Sequence, residues 1–345
     1  MKKVCVVGHF GIGKKLLNGQ TIKTKILTKE LVRNYGNENV ITIDTHGGIK
    51  SIFRIFFKVA CALRKCSNII ILPAHNGIRI IPYIICFWNF FYRRRVHYDV
   101  VGGWLPSVLE RNPRLIRMFS HYVGIYVEVE TMKRKLNELG LKNVYVIPNC
   151  KDLKIIPINE LFTPPKVPIK LCTFSRVMRE KGIEEAIQVV DEMNKECGFD
   201  KYELDIYGQI DANQTEWFDN LKASFSNQIR YCGVVDYDKS TEVLRYYHMM
   251  LFPTFYNGEG FAGTLIDAMA AGLPVVASDW KYNSEIIIEG YNGRIFEIHN
   301  KEALKKILCS IDFSSEEYMT MRKNCIISAK NYLPYVALKP LLERM

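Results

Sequence analysis

The sequence runs to 345 residues, 48% hydrophobic, 24% charged and 12% aromatic, a balance that excludes a disordered or fibrous chain. At roughly 150 residues per domain it predicts about two domains, each able to bury its own core. The net charge of +11 comes from 47 Lys and Arg against 36 Asp and Glu, which points to an acidic partner such as nucleic acid, anionic lipid or a phosphorylated substrate.

The excess is unevenly placed. Residues 1–160 carry 26 basic against 10 acidic side chains, and residues 161–345 carry 21 against 26, as expected of two domains that face different ligands. The ten cysteines form no C-x-x-C pair and no Cys/His cluster at zinc spacing. Cys5, Cys86 and Cys172 lie in apolar runs, so they are expected to be reduced core thiols of a cytoplasmic protein.

Met1-Lys2-Lys3 has the charge of a secretory n-region, but the apolar run Val4–Val7 is far shorter than the roughly 7–15 residues of an h-region and is expected to be a first strand. The next strands are expected at Val40–Ile43, Ile69–Leu72, Val96–Val101, Ile125–Val129 and Val144–Ile147, with helices at Thr21–Asn34 and Thr131–Leu139. The most apolar window, Ile80–Tyr92, is bracketed by Arg79 and Arg93 and falls short of the ~18 residues a membrane span needs. Pro157, Pro164, Pro165 and Pro168 mark Ile155–Lys170 as a linker. Beyond it, strands are expected at Lys170–Phe174, Tyr202–Tyr207, Ile229–Cys232, Met249–Pro253, Val275–Ala277 and Gly293–Phe296. Helices are expected at Gly182–Glu196, Ser240–Tyr247, Gly263–Ala271 and Lys301–Ile311. Strand–helix alternation of this kind gives parallel sheets in an α/β fold, whose ligands sit beyond the carboxyl ends of strands.

Chemistry-bearing residues follow those strands. After the first comes Gly8-His-Phe-Gly11-Ile-Gly13, a partial dinucleotide fingerprint without the third glycine; the helix opens only after Asn18-Gly19-Gln20. Val96-His97-Tyr-Asp99-Val-Val-Gly102-Gly103-Trp104 puts His97 and Asp99 inside a strand, in structural positions. In the second half, Arg176 and Lys181 follow a strand and precede a helix, where two cations and free backbone N–H groups can neutralise a diphosphate. Asp236 and Asp238 are spaced as a metal-binding Asp-x-Asp, but they precede a helix that Asp238 or Ser240 is expected to cap.

The most specific stretch is 253–278. A strand ends at Pro253, a Gly-rich loop carries Glu259, and a helix opens near Gly263 with Asp267 one turn in and Gly272-Leu-Pro274 closing it. The two carboxylates could serve as general acid and base, or as acceptors for sugar and ribose hydroxyls. On the first half, Phe53–Lys65 and Phe90–Arg95 interleave aromatics with cations, a pattern suited to nucleic-acid bases or to an anionic membrane.

These elements, in this order, resemble glycosyltransferase family 4 of the GT-B fold, the retaining nucleotide-sugar transferases of bacterial polysaccharide synthesis. Arg176 and Lys181 match the family's Arg-x4-Lys-Gly pair, and Glu259 to Asp267 its E-x7-E motif with Asp in second place. Further matches are Tyr207-Gly208, Gly233, Pro148-Asn149 and Gly290-Tyr-Asn-Gly293. The resemblance implies two Rossmann-like domains facing across a cleft: an acceptor-binding domain over 1–155, a nucleotide-sugar domain over 156–325, and a C-terminal helix over 326–345 packing back on the first. It implies that Arg176, Lys181 and Glu259 are catalytic, the cations stabilising the departing diphosphate and Glu259 contacting the donor sugar. Gly260, Phe261, Ala262, Gly263, Thr264 and Leu265 would line sugar and phosphates, Asp267 the ribose, and Gly19 and Gln20 would also touch the donor. Gly11, Gly102, Gly103 and Trp104 are acceptor-side candidates.

By the same resemblance no metal or cofactor is needed beyond a co-substrate donor, with UDP as the expected carrier. The expected partners are a lipid-linked glycan and an anionic membrane surface rather than nucleic acid, for a protein peripheral on the inner, cytoplasmic face of the membrane. Two rival readings are a non-catalytic sugar-nucleotide-binding partner in a polysaccharide assembly complex and an NAD-dependent oxidoreductase.

Overall fold

The computed structural model describes residues 3–13, 19–47, 49–73, 75–161 and 167–345, so Pro164 and Pro165 of the expected linker lie outside the described residues. The chain divides into two compact units, Met1–Asp152 with Tyr332–Met345, and Leu153–Asn331.

In the first unit the order is β1 (Val4–Gly8), α1 (Gly19–Tyr35), β2 (Val40–Asp44), α2 (Ile49–Lys65), β3 (Asn68–Leu72), α3 (Ile81–Tyr92), β4 (Arg95–Asp99), α4 (Leu105–Glu110), α5 (Pro113–Phe119), β5 (Gly124–Val127), α6 (Glu130–Glu138) and β6 (Val144–Val146). The strands form one six-stranded sheet in the order β2-β1-β3-β4-β5-β6, with parallel pairings such as Val4 to Val40 and Val4 to Asn68. Every residue of β1 and β3 is buried, as a parallel sheet covered on both faces requires.

The second unit repeats the plan: β7 (Ile169–Phe174), α7 (Ile183–Cys197), β8 (Tyr202–Tyr207), α8 (Thr215–Ala223), β9 (Ile229–Gly233), α9 (Ser240–Leu244), β10 (Met249–Phe252), α10 (Gly263–Ala270), β11 (Val275–Ser278), α11 (Asn283–Ile286), β12 (Gly293–Phe296), α12 (Lys301–Ser310) and α13 (Glu316–Ala329). Its sheet runs β12-β11-β10-β7-β8-β9. On α7, Ile183, Ala186, Ile187 and Val190 form one buried face over β7 and β8, the helical period set by their spacing. Gly198 in the left-handed region ends that helix.

The chain returns to the first unit at Tyr332, where α14 (Pro334–Ala337) and α15 (Lys339–Leu342) lay Ala337, Leu338 and Leu341 against Leu27, Leu31 and Val4. The expected division at 325 falls inside α13, which stays with the second unit because Ile326 packs with Ile156 and Leu161. That packing also corrects the linker: Ile156 donates its N–H to the Ala270 carbonyl at 2.9 Å, so the described part of 155–170 is docked chain. Cys5 and Cys172 are buried core thiols, whereas Cys86 is exposed because it sits on the outer side of α3 rather than in a strand.

Candidate functional site

In the second unit, three segments at the carboxyl ends of β7, β8 and β10 meet. Beyond β7 the chain pairs Val177 with Ile210 and places Arg176 half-exposed, its guanidinium 3.5 Å from the Asp211 carboxylate. Residues Arg179–Lys181 make one 3-10 turn that ends at Gly182 with φ 68°. A Cβ at Gly182 would lie 2.1 Å from the Pro253 carbonyl oxygen, so only glycine lets the turn seat against the end of β10. Gly208, φ 140°, has the same role: a Cβ there would lie 1.7 Å from the Ser175 carbonyl oxygen.

This seating brings Lys181 to Glu259. Nζ and Oε2 are 2.5 Å apart, and the side chains are 10% and 8% exposed. Thr254 donates its hydroxyl to the same carboxylate oxygen at 2.9 Å, and the ammonium lies 5.5 Å from the Phe252 ring centre and 5.1 Å from that of Tyr256. Glu259 is therefore a buried anion held by one cation and one hydroxyl, the arrangement that makes such a burial tolerable. The next residues, Gly260 and Phe261, are buried, and Ala262, Gly263 and Thr264 are partly exposed. Thr264 donates to the Phe174 carbonyl at 2.5 Å, which ties the start of α10 to the end of β7. No side chain caps α10, so its first turn offers backbone N–H groups and the positive end of its dipole. Leu265 and Asp267 are buried on α10. Arg176, Lys181, Glu259 and residues 260–267 thus occur in one unit, on loops and a helix start at one edge of one sheet.

Neither Asp238 nor Ser240 acts as the helix cap expected of one of them. The N-cap of α9 is Lys239 without a side-chain bond, and the Ser240 hydroxyl turns back to the Tyr237 carbonyl at 2.9 Å. Among the described residues no three His, Cys, Asp or Glu side chains are gathered as for a metal ion.

In the first unit the Gly8–Gly13 loop wraps around Asp44, the last residue of β2. Asp44 accepts the N–H groups of Phe10 at 2.9 Å, Gly11 at 3.4 Å, Ile12 at 3.0 Å and His46 at 2.9 Å. Burial alone would raise its carboxyl, but these four donors hold it below the usual carboxylate range. The loop's donors are spent on a carboxylate, which disfavours a dinucleotide phosphate there. Inside the loop His9 is hydrogen-bonded to Thr21 at 2.7 Å and to His46 at 3.1 Å, and burial and His46 push it below its ordinary value.

Gly19 and Gln20 open α1, with the Gln20 amide donating to the Leu72 carbonyl at 3.0 Å. Gly102, Gly103 and Trp104 follow β4, and Trp104 packs edge-on against His75. His97 is buried, bonded to Tyr126 at 2.9 Å and to Asn68 at 3.2 Å, and burial followed by Arg95 lowers it to about 4. It is neutral and structural, as its place within a strand implies. Asp99 faces Lys23 at 2.9 Å, and Glu128 faces the same ammonium at 3.2 Å. Burial opposes the charge on Lys23, yet these carboxylates raise its pKa and hold it protonated. Sequence reading missed this triad; its signal was Lys23 standing one turn before Leu27 on the buried face of α1.

The helices α2 and α3 were also unassigned. Phe56 packs between them, its ring tilted against Phe87 at 5.5 Å and Trp88 at 5.0 Å between centres, leaving Phe53 78%, Phe57 61%, Phe90 78% and Phe91 63% exposed. Residues 45–98 contain nine Lys and Arg and neither Asp nor Glu. No helix among the described residues is long and apolar enough to cross a membrane.

Residues 160–332 match the protein family described as glycosyl transferases group 1. The chain is 27% identical over 327 residues to an uncharacterized glycosyltransferase of Methanocaldococcus jannaschii, covering 88% of this chain and 77% of that protein. It is 25% identical over 191 residues to the amylovoran biosynthesis glycosyltransferase of Erwinia amylovora, covering 52% of this chain and 45% of that protein. It spans less than half the length of several of the curated relatives it matches. In structure it resembles the Anabaena protein HepE, solved in complex with UDP and glucose, with a TM-score of 0.70 and 14% identity over 99% of both chains.

Proposed function

Because this chain belongs to the group 1 glycosyl transferases and has the GT-B fold, we propose that it transfers a hexose from a nucleoside diphosphate, with UDP as carrier, to a hydroxyl of a lipid-linked glycan. In this reading it is a family 4 enzyme of bacterial polysaccharide assembly, in capsule, O-antigen or exopolysaccharide synthesis. It works at the inner face of the membrane, with the second unit holding the donor and the first the acceptor. The observation that carries it is the Lys181–Glu259 pair, buried beside the uncapped start of α10.

The sugar C1–O bond breaks with its electron pair leaving on the UDP phosphate, and a bond from C1 to the acceptor oxygen forms on the same face. The acceptor proton passes to a donor phosphate oxygen. Arg176, Lys181 and the N–H groups of α10 stabilise the charge that develops on the diphosphate, so these residues do the work a metal would otherwise do. Glu259 orients the sugar through its hydroxyls and Asp267 holds the ribose. The printed ligands of HepE, UDP and glucose, support the carrier, and the amylovoran relative supports the polysaccharide context. The acid-free, aromatic-rich surface of α2 and α3 supports contact with an anionic membrane.

The test is incubation with a panel of UDP-, GDP- and ADP-sugars, with release of the free nucleotide as the readout. Release by the wild-type chain that Lys181→Ala and Glu259→Ala both abolish is the expected result. Binding without release would favour the non-catalytic partner, and wild-type release in either variant would sink the assignment.

A further inference from the structure

A pocket of about 520 Å³ opens on the first unit between α3 and α5, lined by Ile85, Cys86, Phe90, Met118 and Tyr122 with Arg114 and Arg117. Its wall includes Val96 at the amino end of β4, so it lies at the opposite sheet edge from the loops that follow β1 and β4. We propose that it binds one acyl chain of an anionic glycerophospholipid. The proposal rests on the reading of this unit as the side that meets the membrane.

Three features of the pocket converge on that ligand class. Its lining is chiefly apolar, with Asn89 and His121 beside the two arginines as its polar members, and it shares Phe90 with the exposed aromatic face of α3, so its apolar wall is continuous with the surface proposed to meet a bilayer. Tyr122 is 7% exposed, and its hydroxyl has no hydrogen-bond partner within the protein, so it is a buried donor open to an acceptor that water or a ligand can supply. Burial and the adjacent Cys86 thiol push the Tyr122 phenol up, so it stays a neutral donor. Arg114 and Arg117 have no ion-pair partner among the described residues, and the acid-free stretch 45–98 supplies the opposite wall. An apolar tail, an ester carbonyl for Tyr122 and a phosphate for the two guanidinium groups are the three parts of one molecule.

The test uses the full chain and dihexanoylphosphatidylglycerol below its micelle concentration, followed by calorimetry and by maleimide labelling of cysteines read by peptide mass spectrometry. One saturable site is expected. The probe should slow labelling of Cys86 and leave exposed Cys309, in the other unit, unchanged. Filling the pocket with Cys86→Trp should remove binding, and Arg114→Glu or Arg117→Glu should weaken it by about tenfold, as loss of a charge-assisted hydrogen bond does. Equal binding of inorganic phosphate or of geranyl phosphate, which lacks the ester, would overturn the proposal. So would labelling of Cys86 that is unaffected at saturation, a result that stands even if Cys86→Trp fails to fold. None of these readouts needs sugar transfer. If Phe53→Ser abolishes vesicle binding in a chain whose probe site is intact, the pocket stands on its own. If vesicles bind while the probe does not, the pocket assignment alone fails.

Discussion

Lys181→Met removes the cation that faces Glu259 and leaves the carboxylate, 8% exposed, with the Thr254 hydroxyl at 2.9 Å. Breaking a buried pair by removing one partner costs about 3–5 kcal/mol, and the Thr254 hydroxyl bonds the carboxylate with or without Lys181, so the variant should lose about 3–5 kcal/mol. Glu259→Gln strands the ammonium instead, and the rings of Phe252 and Tyr256 within 5.5 Å offset about 1 kcal/mol of that. The double variant carries neither charge. Since a buried pair replaced by neutral groups of similar size is often near neutral, it should be less destabilised than the sum of the single variants by about 2 kcal/mol or more. Urea unfolding of the full chain measures the cycle, and nucleotide release from whichever sugar nucleotide of the panel the wild-type chain cleaves measures transfer, which all three variants should lose. Costs that simply add to within about 0.5 kcal/mol, or a double variant that turns over like wild type, would refute both the pairing and its role.

Gly182→Ala should destabilise the second unit by at least about 2 kcal/mol and remove transfer as fully as Lys181→Met, because its Cβ meets the Pro253 carbonyl at 2.1 Å; unfolding and nucleotide-release assays check both. His97 and His248 are each buried and lowered to about 4 from an unfolded value near 6.5. Below about pH 6.5 the unfolded chain takes up protons that the folded one refuses, so stability holds above that pH and falls toward pH 4, by up to about 3 kcal/mol per histidine. Unfolding midpoints across that range should show it, and His97→Gln should flatten the acid limb. Phe53→Ser combined with Phe57→Ser should weaken co-sedimentation with phosphatidylglycerol vesicles and change stability by less than about 0.5 kcal/mol, since both side chains are mostly exposed. Added salt should weaken the wild-type interaction as well.

The sheets were legible because parallel strands read as short apolar runs, and Val4–Val7 and Met249–Phe252 gave themselves away in this manner. Helices α2 and α3 were not, since α3 is apolar on nearly every face and its exposed side mimics a core; Cys86 was misplaced for the same reason. In the site, Lys181 and Glu259 could be named from their spacing to a strand end and a helix start. Their direct contact could not, because it depends on Gly182 seating against Pro253 across a long stretch of chain. Lys23 escaped because a lysine on an amphipathic helix ordinarily faces water, and only the two carboxylates at the ends of β4 and β5 reverse that rule.

The two units share a plan and differ in what their loops do with backbone donors. After β1, the glycine-rich loop turns its N–H groups onto Asp44, so a more basic half of the chain closes its own phosphate cradle with an internal anion. After β10, the anion is Glu259, and it is held by Lys181 and Thr254 rather than by the backbone, which leaves the start of α10 uncapped. In the proposed reading a diphosphate would take its donors from the more acidic half. In the same reading the cations of the basic half, without carboxylates between residues 45 and 98, would be left to meet an anionic surface rather than a nucleotide. Net charge by itself points to the first unit for a phosphate; the commitment of that unit's loop N–H groups to Asp44 argues for the second.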